Sequence, residues 1–140
     1  MKATLFFCVL CLAGRPTEFS DPRITILMTK DLAGAPGKET VMLTVEYPPG
    51  ATEPVHRHNA QAFVYVLEGS VVMQVKGQAP DTLGPGDTFY EGNEDVHLVG
   101  RNASTTTSAR FVVLLVKDKG APVVLPVPPL SGSGGRAAQG

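Results

Sequence analysis

Short β-prone runs, each cut off by glycine, proline or asparagine, set the frame for this chain. The 15 glycines and 12 prolines among 140 residues fall as punctuation between apolar stretches, which favours strands joined by turns over helices. Residues 24–30, ITILMTK, form the first such run. Residues 39–47, ETVMLTVEY, alternate: Val41, Leu43 and Val45 share one face, Thr44 and Glu46 the other. Residues 63–77 read as two strands joined in a tight hairpin at Glu68-Gly69-Ser70, with glycine supplying the turn. Short strands follow at 88–91 and 96–102. Residues 109–118, ARFVVLLVKD, are continuously apolar, the pattern of a strand buried on both faces. Residues 121–130 are β-prone but broken by prolines, which suits an edge strand or an extended tail. Such a chain is predicted to be all-β, a small antiparallel barrel or double-sheet roll whose alternate side chains point inward.

The length allows one domain with a single real core. Hydrophobic content of 43% and charged content of 18% fit a globular protein. A net charge of −1 leaves no basic field for nucleic acid or an anionic membrane. At the start, Lys2 precedes about eleven apolar residues that end in small ones, a pattern resembling a secretory signal. It is too short for a stable membrane-spanning helix. Export to a periplasmic or extracellular space is the expected localisation, with a cytoplasmic protein as the alternative. Cys8 and Cys11 both lie in this segment, so its removal would leave no thiol for catalysis. The expected organisation is a signal over 1–14, a lead-in strand and loop over 15–38 and a barrel over 39–118. A proline-rich segment and disordered tail over 119–140 complete it.

Two of the three histidines, His56 and His58, stand one residue apart just before the most strongly patterned strand. In an extended strand, residues i and i+2 share a face roughly 6–7 Å apart. The two imidazoles can therefore enter one space while Arg57 points away. Neutral nitrogen donors arranged this way suit a transition metal. A bare His-x-His is more often a pair of solvated loop residues, so a third ligand from a distant strand is needed, and His97 is the candidate.

Gly50, five residues, His56-x-His58 and then FVYVLEG ending at Gly69 resemble the first motif of the cupin superfamily, G-x5-H-x-H-x3,4-E-x6-G. Gly86 to Asn102 resemble the second, G-x5-P-x-G-x2-H-x3-N, with His97 as its histidine. The resemblance implies a jelly-roll or double-stranded β-helix barrel holding one divalent metal (Fe, Mn, Ni or Zn) on His56, His58 and His97. There are departures. The glutamate position of the first motif holds Ala62, which cannot bind metal. Gln61 is one residue out of register, a fourth ligand only if a turn or bulge redirects it inward. In the second motif Gly92 replaces the proline, Glu94 the glycine, and Asn102 comes one residue late.

Three neutral imidazoles would leave the metal its full charge, favouring anionic chelating substrates or water activation. The resemblance accordingly implies a small oxidoreductase of dioxygenase type acting on a small organic substrate. The alternatives are a non-catalytic small-molecule or sugar-binding module and a metal-assisted isomerase or lyase. No general base is evident from the sequence, although Glu91 and Asp95 flank the second motif and could act as acid, base or histidine partner. Phe63, Tyr65, Phe89 and Glu91 are candidates for lining a substrate pocket, against the ordinary use of strand aromatics as core. A homodimer is a further expectation, formed if the proline-rich segment adds a strand to a neighbour's sheet.

Overall fold

The computed structural model describes residues 21–127; the expected signal segment and the glycine-rich tail lie outside the described residues. Ten strands and no helix occur among the described residues. They are β1 (Arg23–Asp31), β2 (Lys38–Tyr47), β3 (His56–Arg57), β4 (Ala60–Glu68) and β5 (Val71–Val75). The second half supplies β6 (Asp81–Leu83), β7 (Thr88–Glu91), β8 (His97–Asn102), β9 (Ala109–Asp118) and β10 (Leu125–Pro126). Two five-stranded antiparallel sheets result, ordered β1-β2-β9-β4-β7 and β10-β3-β8-β5-β6.

One core lies between them, because the alternation in each long strand drives every second side chain inward. Val41, Leu43, Val45 and Tyr47 of β2 meet Phe111, Val113 and Leu115 of β9 and Val64 and Val66 of β4. Val71 and Met73 come from the opposite sheet. Each such burial is worth about 1.5–3 kcal/mol, which is how this repeated pattern fixes register. The fold is the all-β roll that the punctuation predicted.

Two local readings change and a third is made specific. The chain at Glu68-Gly69-Ser70 is not a hairpin: β4 and β5 belong to different sheets, and this turn carries the chain across the core. Gly69 has φ 70°, and a side chain there would sit 2.4 Å from the Ser108 carbonyl oxygen, so only glycine lets the crossing pass. Next, β9 is not buried on both faces. Its inner residues are buried, while Val112, Leu114 and Val116 are half-buried on the outside of the sheet. Finally, the proline-broken segment does form an edge strand, but β10 pairs with β3 of its own chain through Leu125↔Arg57 and Pro126↔His56.

Candidate metal centre

His56 opens β3 and His97 opens β8, and the two are directly paired across the sheet. His58 follows β3 immediately. The three histidines place ligand atoms within 4.8 Å of one another. His56 Nε2 lies 3.3 Å from His58 Nε2 and 3.4 Å from His97 Nδ1. His56 and His97 are buried and His58 is half-buried.

The outer hydrogen bonds decide what these nitrogens can do. His56 donates Nδ1–H to the Pro54 carbonyl at 2.9 Å, and His58 donates Nδ1–H to the Val123 carbonyl at 2.7 Å. A carbonyl only accepts, so both Nδ1 atoms carry the hydrogen and both Nε2 atoms of the neutral rings are bare acceptors. Two lone pairs then face each other at 3.3 Å. A proton or a metal ion between them relieves the repulsion. Burial disfavours the proton: it lowers the pKa of His58, against the raising effect of Val123, and lowers that of His97 to about 3, with the neighbouring histidines adding to the shift.

Two carboxylates complete the surroundings. Glu91 Oε2 is 3.6 Å from His97 Nδ1 and 3.7 Å from His58 Nε2, and it is buried with no hydrogen-bond partner. Burial, then the charges of Glu53 and Asp95, push the Glu91 pKa up to about 8. Glu53 Oε2 lies 3.8 Å from His56 Nε2. Burial raises its pKa, partly offset by His56 and Tyr47. The Tyr47 hydroxyl sits beside Glu53, is buried without a well-formed hydrogen bond, and has its pKa raised chiefly by desolvation. Gly100 makes room for this group: a methyl there would lie 2.9 Å from the Tyr47 hydroxyl, 3.0 Å from Glu53 Oε2 and 3.1 Å from His97 Cε1. Convergent bare imidazoles beside an unpartnered buried carboxylate oxygen are a donor set that fits a divalent transition metal.

These groups open onto a cavity of about 370 Å³. Leu43, Val64, Met73, Phe111 and Val113 contribute apolar walls, while Ile24 of β1 and Val124 beside β10, both largely exposed, stand at its rim.

Gln61 is not in this site. Asn59, with φ 48°, turns the chain after His58, and β4 then starts with Ala60 and Ala62 inward. That phase places Gln61 on the outside, where it lines a separate small pocket with Lys38, Asn93 and Asp118. Phe63 and Tyr65 are also outward, at 45% and 49% exposure, so they do not line the cavity. Phe89 packs half-buried near His97, with ring centroids 6.3 Å apart, and Glu91 does face the cavity. Asp95 accepts from the Gly92 backbone N–H at 2.7 Å and holds the β7–β8 turn. Asn102 is structural as well, since its side-chain amide donates to the carbonyls of Tyr47, Pro48 and Thr107. Sequence reasoning missed Glu53 and Tyr47. The only signals were a glutamate three residues before His56 and the inward phase of β2.

Residues 43–115 match the family model of the cupin domain, and the chain belongs to the cupin family. No curated protein sequence matches it. Among solved structures it resembles the DMSP lyase DddQ from Ruegeria pomeroyi, at 22% identity and TM-score 0.63. That match covers 78% of this chain and 53% of the lyase, so the chain spans about half of the lyase's length. A conserved protein with a double-stranded β-helix domain from Klebsiella pneumoniae matches at 16% identity and TM-score 0.62, covering 82% of this chain and 90% of that one. An oxalate oxidase in complex with the substrate analogue glycolate matches at 23% identity and TM-score 0.58, over 88% of this chain and 69% of that chain. These likenesses establish the fold. Among the described residues, no helix is long and apolar enough to cross a membrane.

Proposed function

We propose that this cupin is a metal-dependent enzyme that moves a proton on a small organic substrate, as a lyase or isomerase does. The observation that carries the reading is Glu53, a half-buried carboxylate with a raised pKa, held beside the histidine cluster and the Tyr47 hydroxyl at the wall of an apolar cavity. His56, His58 and His97 would hold the metal, which when bound supplies a Lewis acid for a substrate oxygen. The apolar walls exclude water from the bound molecule and strengthen every charge interaction at its polar end. Glu53 takes the proton on Oε2, and desolvation makes it more basic than an ordinary carboxylate. Tyr47, whose hydroxyl stays protonated, can donate a hydrogen bond to the same carboxylate or to the substrate.

Dioxygenase-type oxidation is the second reading, and the three-imidazole cluster favours it. One experiment separates them. Metal-loaded protein is incubated in heavy water with a panel of small hydroxy- and β-substituted carboxylates, while solvent-hydrogen exchange and oxygen consumption are followed together. Exchange without oxygen uptake, lowered by about 10²–10⁴-fold in Glu53→Gln with metal retained, is the expected result. Oxygen uptake unaffected by Glu53→Gln would favour oxidation. Neither activity, with a ligand still bound, would indicate a binding module.

A further inference from the structure

We propose that Glu91 supplies the carboxylate ligand of the metal centre, relocated from the first cupin motif on β4 to the neighbouring strand β7. The inference rests on the reading that the histidine cluster holds a metal.

Register is the first reason. Ala62 occupies the motif's glutamate position, points inward and is fully buried. Its direct cross-strand partner is Glu91. Side chains on such paired positions start roughly 4.5–5.5 Å apart and share a face of the sheet. An inward glutamate on β7 therefore reaches the same volume as an inward glutamate on β4, and the small side chain of Ala62 leaves that volume free. The two positions have exchanged sizes: the acid is lost from one strand and present on the strand that pairs with it.

Geometry is the second. Ligand bonds of about 2.1 Å in a tetrahedron put neighbouring ligand atoms roughly 3.4 Å apart. The distances from Glu91 Oε2 to His97 Nδ1 and His58 Nε2 are 3.6 and 3.7 Å, those from His56 Nε2 to the other two imidazoles are 3.3 and 3.4 Å, and all three histidine ligand atoms lie within 4.8 Å of one another. The carboxylate contacts are too long for hydrogen bonds and close to a ligand polyhedron's edges. Oε2 is also a buried oxygen with no protein donor, a state that is costly for the carboxylate unless a cation or a proton meets it. Glu53, by contrast, lies next to Tyr47 and approaches only His56. The buried Glu91 and the half-buried Glu53 thus divide, Glu91 to the metal and Glu53 to the proton. With Glu91 bound, the site carries a net charge of about +1 rather than +2, and an imidazole–carboxylate set selects iron, manganese or zinc over softer ions.

The test is the affinity of the full chain for Zn²⁺ and Mn²⁺, by competition with a chromophoric chelator, in the parent, His56→Ala, Glu91→Gln and the double variant Ala62→Glu/Glu91→Ala. Glu91→Gln should bind at least as weakly as loss of an outer-shell partner implies, about 10–100-fold down. Its metal-free thermal midpoint should not fall, because an unpartnered buried carboxylate has gone. The double variant, with the acid returned to β4, should recover most of the affinity. In Co²⁺-loaded protein the visible bands should shift in Glu91→Gln and return toward the parent in the double variant. Affinity within two-fold of the parent in Glu91→Gln, with His56→Ala strongly weakened, would overturn the relocation and leave the histidine site standing. Unchanged affinity in His56→Ala would overturn both.

Discussion

The two sheets have equal numbers of strands and opposite kinds of regularity. In the first, β2 and β9 are ten residues long and pair along their whole length, Lys38↔Asp118 through Tyr47↔Ala109. In the second, no strand exceeds six residues, and the pairing of β3 with β8 is a single residue pair, His56↔His97. Long ladders hold their side chains by cooperative pairing and core burial. A one-pair ladder cannot, so the second sheet positions its histidines by turns, by carbonyl acceptors and by the space left at Gly100. The first sheet supplies most of the core, and the second carries the candidate histidine site. Glu91 and Tyr47 are the exceptions: Tyr47 ends β2, and Glu91 ends β7, the short edge strand of the long-stranded sheet.

The sharpest way to break this division is Phe111→Ala, the buried third residue of β9, stacked edge-on against Tyr47 with ring centroids 5.1 Å apart. A stability loss of about 3–5 kcal/mol is expected in urea unfolding, with the molecules that remain folded still taking up metal. Loss of metal from folded protein would mean that the sheets are not separable. Gly100→Ala is the complementary change in β8. Overpacking against Tyr47, Glu53 and His97 should cost about 1–3 kcal/mol, and metal affinity should fall more than stability does, because the methyl displaces a ligand ring. Equal affinity in a well-folded variant would show that the space at Gly100 does not position His97. Gln61→Ala should do least. Its side chain is outside the sheet, so stability should stay within about 0.5 kcal/mol and chelator competition should show unchanged metal binding.

In the first sheet β2 was legible because its apolar residues alternate, whereas the continuous apolar run of β9 marked a strand but hid that only one of its faces is buried. The β4–β5 turn was not, since a glycine at positive φ serves a hairpin and a sheet crossing equally well. Its role is decided by Ser108 and Ala109, some forty residues away. The histidines were legible through their spacing. Gln61 was out of register for a ligand unless a turn or bulge redirected it, and the Asn59 turn leaves it outward. Glu53, Tyr47 and the ligand-like position of Glu91 depend on which strands become neighbours, information that spacing along the chain does not hold.

The hydrogen bond from His58 to Val123 spans 65 residues. A ribosome making this protein releases His56 and His58 well before it releases the carbonyl that orients the second of them. β10, which pairs with β3, emerges later still. Until then the His58 ring is free to change tautomer and turn its wrong nitrogen to the cavity. An ordered three-histidine site is therefore expected only in chains long enough to include Val123, and comparing metal affinity in chains ending before and after that residue would check it.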